Sequence, residues 1–497
     1  MAKLSNIKPP RVFYYFEKLS AIPRGSGNMK AISEYCENFA RENNLRYIRD
    51  NADNVIIFKD GSVGYEKSEP VILQGHLDMV CQKTEYSCHD FEKDGLDLYI
   101  DGDYIKADGT TLGADNGIAV AMILAILESD EYLQPPIEAV FTVDEEVGML
   151  GAMALDMSVL KARRMINLDS EEEGVVTVSC AGGSDFTVRV PLNRETKNGT
   201  EVTVFLKGLK GGHSGIEINS GRVNADLLLG RILDSVGSKC GFGIISLNGG
   251  DKANAIPNRA ATSICASDSE TFVEELEAVL GEIKKEITHR EPDFEWEITV
   301  GANGEYRVFE NSVKDKLISA LLYVPNGVVQ MSAEIEGLVE TSLNIGIMKT
   351  DLDNLTLGFA LRSNKKSAQA FLVRRMEVIF DLLGFPYEKS GYYPPWEFKD
   401  NSSLQALFSD VYTEHCGKEP EIAAIHAGLE CGVFASAIDG LECISIGPEM
   451  SGVHTTEEEL SISSTNRLFE ILTEILKRLK KITLKNRCPY DIGTENL

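Results

Sequence analysis

Ten cysteines are scattered over 497 residues without a single CxxC pair. That scatter argues against a Cys-based zinc site. It reads as reduced thiols in a cytoplasm rather than a disulfide framework. Several, such as Cys36 and Cys265, lie among apolar neighbours and are expected in the core. Long apolar runs are missing too. The most continuous, IAVAMILAIL from Ile118 to Leu127, falls far short of the roughly 20 residues a bilayer span needs. MAKLSNIKPP holds no apolar h-region. No secretory signal is read, and a cytoplasmic location is expected. Basic charge is scarce: 49 Lys and Arg against 77 Asp and Glu give a net charge of −28. That balance disfavours nucleic acid and anionic membrane as partners. The choice between monomer and homodimer stays open.

What is present is ordinary globular composition, 43% apolar and 25% charged. The length exceeds one hydrophobic core, so two domains are expected. The N-terminal part reads as a helix from Pro10 to about Leu19, a turn at Arg24-Gly25-Ser26-Gly27-Asn28, and a helix to about Asn43. Strand-like runs follow at Asn54–Phe58, Val71–His76, Glu138–Val143 and Arg164–Asp169, with a helical run from Gly117 to about Ser129. Strands alternating with helices predict an α/β sheet. After about Gly182 alternating strands appear, at Asp185–Leu192, Glu201–Gly208, Phe294–Gly301 and Leu355–Arg362, with helices near Ala225–Val236 and Ser312–Tyr323. The last hundred residues return to the first texture, with ECISIG (Glu442–Gly447) and an amphipathic helix from Arg467 to Ile482. The expected division is one domain from residues 1–183 and 390–497, with 184–389 inserted as a second α/β domain.

Five short stretches carry chemistry. VILQGHLDMV closes an apolar strand on His76 and places Asp78 two residues on, so both side chains share a face. A metal-bound imidazole usually gives its other N–H to a carboxylate, a role Asp78 can fill. On its own the pair is more often a turn or a surface pair. LGADNG puts Asp115 just before a helix start, where it can serve as an N-cap or as a ligand. TVDEEVG sets Glu145 and Glu146 at the C-terminal end of an apolar strand, where open α/β sheets place their sites. Adjacent residues face differently, so the two glutamates are expected to do different jobs. NLDS adds Asp169, and GPEMSGVHTTEE adds His454 in a loop after the strand ECISIG. Five oxygen and nitrogen donors from one domain suit two zinc ions that share a carboxylate. In the middle region, Arg362 ends the small, polar face of LTLGFALR. A fixed guanidinium there serves either a structural salt bridge or a bidentate grip on a carboxylate.

The order GHLD, GADNG, DEE, NLDSEE, KGGHSG, NAIP and GPEMSGVH resembles, from end to end, the M20 family of di-zinc metallopeptidases. The resemblance implies a mixed sheet flanked by helices, with the insertion as a lid whose closure assembles the site. It implies two Zn²⁺ per subunit, with Mn²⁺ or Co²⁺ as substitutes. His76, Asp115 and Asp169 would hold one, and Asp115, Glu146 and His454 the other, across a cis Asp115–Asn116 peptide. Asp78 would orient His76, and Glu145 would be the general base toward a zinc-activated water. His213, in KGGHSG, would stabilise the oxyanion, and Asn254, in NAIPN, would lie near the substrate. Arg362 would hold a substrate carboxylate. HAGLECG would supply His426 and Gly428 on the substrate side, with Glu430 as a further polar contact. The activity implied is hydrolysis of dipeptides, those ending in histidine such as β-Ala-His among them. The alternatives are a broader dipeptidase or an N-acyl amino-acid amidohydrolase on the same scaffold. A catalytically silent zinc protein is disfavoured by the presence of Glu145.

Overall fold

The computed structural model describes residue 4, residues 7–400 and residues 402–481. It divides into two compact units. The first comprises residues 1–178, 398–423 and 433–497, and the second residues 179–397 and 424–432. The segment 424–432, which carries His426 and Gly428, thus returns to the second unit.

In the first unit an eight-stranded sheet among the described residues runs in the order Arg46–Arg49, Val55–Lys59, Ile137–Thr142, Val71–His76, Arg164–Asn167, Glu442–Ser445, Val175–Cys180 and Glu421–Ile425. The sheet is mixed. Its four middle strands, from Ile137–Thr142 to Glu442–Ser445, are parallel, and the first three strands pair antiparallel. Val71–His76 is buried along its whole length and carries no alternation, as a central parallel strand should. The helix Ala114–Glu128 is buried on nearly every side for the same reason. Its backbone is non-helical at Asp115 and Asn116, so regular winding begins at Gly117. The amphipathic helix Ile462–Arg478 packs Leu468, Ile471, Leu472 and Ile475 into this core. It starts five residues earlier than its apolar stripe suggests, because Ser461 caps it by accepting the N–H of Ser464 (3.2 Å). A short 3-10 turn, Leu479–Lys481, follows. The expected last residue, Ile482, lies outside the described residues.

Register places the site. His76 stands opposite Thr142, Gln74 opposite Asn167, and Ser445 opposite Asn167. The C-terminal ends of four parallel strands therefore finish side by side. The loops leaving them carry Asp78, the Glu145–Glu146 pair, Asp169 and His454. A separate small sheet, Met450–Ser451, Glu459–Ser461, Tyr104–Ala107 and Leu98–Asp101, fixes the last of these loops. His454 and Glu458 lie in the hairpin between its first two strands.

The second unit is built on an antiparallel sheet ordered Glu295–Phe309, Arg194–Lys207, Ala260–Ala266, Phe242–Asp251, Val339–Thr350, Asn354–Ser363, Gly182–Pro191 and Tyr387–Tyr393. Helices Ala225–Gly237, Ser269–Ile287, Asn311–Tyr323 and Lys366–Leu383 pack on it around a second core. Leu355, Leu357, Phe359 and Leu361 point into that core, while Arg362 falls on the other face of its strand. Among the described residues no helix is long and apolar enough to cross a membrane.

Candidate metal centre

Five donor residues, His76 at the end of its strand and the others from four loops, meet at the ends of the parallel strands. Nε2 of His76 lies 3.1 Å from Oδ1 of Asp115 and 3.4 Å from Oδ1 of Asp169. Nε2 of His454 lies 3.1 Å from Oδ2 of Asp115 and 2.9 Å from Oε1 of Glu146. The two oxygens of Asp115 thus face two different imidazoles. His76, Asp115 and Glu146 each offer a ligand atom within 4.8 Å of the others. Two ligands about 2.1 Å from one tetrahedral cation would themselves sit roughly 3.4 Å apart, so these spacings fit donors gathered around metal. The donor set, imidazole nitrogen and carboxylate oxygen, suits Zn²⁺, Mn²⁺ or Co²⁺.

The electrostatics agree with that geometry. Burial alone would push His76 down, but Asp169, Asp115 and Asp78 hold it well above the usual histidine range. Asp115 and Glu146 raise His454 to about 11. Burial would raise Asp115, yet His454 and His76 hold it far below the usual carboxylate range. The carboxylates thus favour a proton on each imidazole. A divalent cation can take the place of those protons.

Supporting residues orient the donors. Nδ1 of His76 is 3.4 Å from Oδ1 and 3.2 Å from the backbone oxygen of Asp78. The Asp78 carboxylate accepts the backbone N–H groups of Glu145 (3.0 Å) and Glu146 (3.2 Å) and the hydroxyl of Ser26 (2.9 Å). One residue therefore sets both the imidazole and the acidic turn. The Asp115–Asn116 peptide is cis. Asn116 accepts the N–H of His76 (3.3 Å) and donates to Leu168 O (2.8 Å), tying two strand ends together. In the sequence Arg24 and Ser26 are only turn residues, and Glu458 only closes the stretch GPEMSGVHTTEE. In the structure Arg24 is buried and donates to the carbonyls of Leu77, Asp78 and Gly113. Glu458 is buried and accepts the backbone N–H groups of Leu112, Gly113, Ala114 and Asp115. No local pattern marks either residue, because their burial is created by the fold.

The second unit holds His213, Asn254, Arg362, His426 and Gly428. His213 pairs with Ala255 in a two-stranded ribbon, and Asn254 O accepts the N–H of Ser214 (2.9 Å). Nδ1 of His213 accepts the N–H groups of Gly215 (3.3 Å) and Ile216 (3.2 Å). The ring proton therefore sits on Nε2, which makes that nitrogen a donor. Burial, and then the charge of Arg362, lower His213 and bring His426 down to about 3, so both are neutral. His426 accepts from Ser342 Oγ (2.7 Å) and donates to Asn364 Oδ1 (3.2 Å), which occupies both ring nitrogens inside the unit. Arg362 donates to Tyr393 Oη (3.0 Å).

Comparison with known proteins points one way. The model of peptidase family M20/M25/M40 matches residues 72–478. The chain is 38% identical over 483 residues to the cytosol non-specific dipeptidase of Escherichia coli K12, covering 96% of this chain and 99% of that protein. The crystal structure of aminoacylhistidine dipeptidase from Vibrio alginolyticus superposes with a TM-score of 0.89 at 36% identity, over 97% of this chain and 99% of that one. Aminopeptidase PepT from Bacillus cereus shares the fold, with a TM-score of 0.55 at 15% identity over 95% of this chain and 99% of that one. The chain belongs to peptidase family M20/M25/M40.

Proposed function

We propose that this peptidase is a metal-dependent dipeptidase whose substrates include dipeptides with a C-terminal histidine. The observation that carries the reading is the shared carboxylate: Asp115 offers one oxygen to His76 and the other to His454. His76, Asp115 and Asp169 would hold one divalent cation, and Asp115, Glu146 and His454 a second. When bound, such cations polarise a peptide carbonyl and lower the pKa of water from about 15.7 towards 7.

Glu145 takes a proton from the attacking water and returns it to the leaving amine nitrogen. Asp78 fixes the tautomer and orientation of His76. His213, with its proton on Nε2, supplies a neutral donor to the carbonyl oxygen as negative charge develops there. Arg362 grips the C-terminal carboxylate, which restricts the enzyme to short peptides. Asn254, His426 and Gly428 line the substrate side. One full-length relative is a non-specific dipeptidase and the other an aminoacylhistidine dipeptidase, and both support a dipeptide substrate.

The test uses protein stripped of metal and reconstituted with Zn²⁺, Mn²⁺ or Co²⁺, assayed on β-Ala-His, Gly-Gly and an N-acetyl amino acid. Metal-restored cleavage of β-Ala-His is expected, with little release from the N-acetyl compound. Faster release from the N-acetyl compound than from either dipeptide would replace the reading with an amidohydrolase. Full activity after exhaustive chelation would end it.

A further inference from the structure

The loop Leu112–Asp115 must present the shared carboxylate of Asp115, yet it contributes little packing of its own at its glycine. Gly113 adopts φ +63°, a left-handed conformation. Its two backbone groups are engaged from two distant parts of the chain. Its N–H is taken by Glu458 (3.0 Å) and its carbonyl by Arg24. Glu458 reaches further along the loop, accepting from Leu112 (2.8 Å), Ala114 (2.8 Å) and Asp115 (3.4 Å). Arg24 reaches the other way, donating to Leu77 O (3.0 Å) and Asp78 O (3.1 Å) beside His76.

The space for this arrangement is specific. A Cβ on Gly113 would lie 2.6 Å from Arg24 Nη2, and a Cβ on Gly117 would also lie 2.6 Å from it. Two glycines thus keep a channel open for one guanidinium. Both charged side chains are almost wholly buried, Arg24 at 2% and Glu458 at 3% exposure. Burial disfavours the charged guanidinium, and Glu458 is the first of the carboxylates that offset it. Glu458 satisfies four successive backbone N–H groups that burial would otherwise leave unpaired, and the loop it holds is the one that carries Asp115.

We infer that Arg24 and Glu458 are positioning residues: a buried pair of opposite charges that clamps the Leu112–Asp115 loop from both ends of its peptide groups and fixes the carboxylate shared by the two cation sites. The clamp rests on the metal-centre reading above and adds a cause for the geometry of Asp115. Glu458 and Arg24 touch no reacting atom. Their effect passes through the loop.

The experiment compares wild type, E458Q, E458D and R24K as metal-free proteins. Glu458→Gln keeps size but turns an amide N–H toward backbone N–H groups, so it breaks part of the set. Cation affinity is read by competition of Zn²⁺ with a chromophoric chelator, and the ligand field by the visible spectrum of Co²⁺-loaded protein. Thermal unfolding of the metal-free chain is followed alongside. The control is E138Q. Glu138 is another buried carboxylate, 5% exposed, that accepts the backbone N–H groups of Lys161 and Ala162. The clamp predicts a loss of cation affinity of about 10–100-fold in E458Q, with a changed Co²⁺ spectrum. E458D and R24K should lose less, and E138Q should lose thermal stability alone. Wild-type affinity and spectrum in E458Q would overturn the clamp, as would equal affinity losses in E458Q and E138Q. If E458Q does not fold, E458D and R24K are judged by the same two criteria. Failure of wild type to bind Zn²⁺ or Co²⁺ would instead overturn the metal-centre reading itself.

Discussion

Glu145 and Glu146 are neighbours in the chain to which we assign different duties, and the difference can be tested one atom at a time. Glu146 stands 2.9 Å from His454, and the proposal places it with the cation donors. Glu145→Gln keeps the backbone N–H that Asp78 accepts and removes only the base. Turnover is expected to fall by about 10²–10⁴ while bound metal, measured by atomic emission, stays at the wild-type level. Loss of metal together with turnover would move Glu145 into the donor set. A second residue-scale prediction concerns Asp226, whose buried carboxyl oxygens find no hydrogen-bond partner among the described residues. Burial, and then the charge of Asp251, raise it well above the usual carboxylate range. A carboxyl whose folded pKa is raised binds its proton more tightly in the folded state. Stability is therefore highest below its unfolded value of 3.8 and falls as pH rises through the folded value. Asp226→Asn removes that fall. Its melting temperature should exceed wild type at pH 7 by an amount corresponding to about 1–3 kcal/mol, and the gap should close near pH 4. A constant gap across that range would show that the charge is not the cause.

At the scale of elements, apolar pattern was legible and capping was not. Val71–His76 was readable because a central parallel strand is buried along its whole length and this one opens on the apolar run Val71–Leu73. The start of regular helix at Gly117 was readable as well, since the apolar run after Asp-Asn-Gly has helical length. The small sheet that holds His454 and Glu458 was not readable. Its strands are two to four residues long and pair segments more than 340 residues apart, such as Tyr104 with Ser461. The site followed the same rule. Donors that close an apolar strand announced themselves, while Arg24, Asn116 and Glu458 act through backbone atoms and carry no local signature. The helix Ile462–Arg478 gives a plain test of the legible part. Leu472 is fully buried in the core of the first unit. Leu472→Ala should cost about 2–5 kcal/mol by urea unfolding, without altering cation affinity in the surviving folded fraction. A cost under 1 kcal/mol would mean that this helix adds little to the core.

For the molecule as a whole, cation binding, proton release and stability are one linked equilibrium. The carboxylates around them raise His76 and His454, so in the metal-free protein both are expected to carry protons at pH 7. A cation takes only neutral imidazole. Filling the centre should therefore release about two protons, and apparent affinity should rise with pH. Calorimetric titration of Zn²⁺ in two buffers with different ionisation heats measures that number directly. The same shifts govern stability in the absence of metal. The raised pKa of His454 contributes stability that is fully present below its unfolded value of 6.5 and lost as pH rises to about 11. The lowered pKa of Asp115 contributes stability that is present above its unfolded value of 3.8 and lost as pH falls below it. With cations bound, the imidazoles are already neutral, so the alkaline loss has nothing to act on. Chelator-treated protein should therefore lose melting temperature steadily between about pH 7 and 11, and Zn²⁺-loaded protein should hold its value over the same interval. Release of no protons on Zn²⁺ binding, or parallel alkaline unfolding of the two forms, would show that the two histidines are not ligands to the cations.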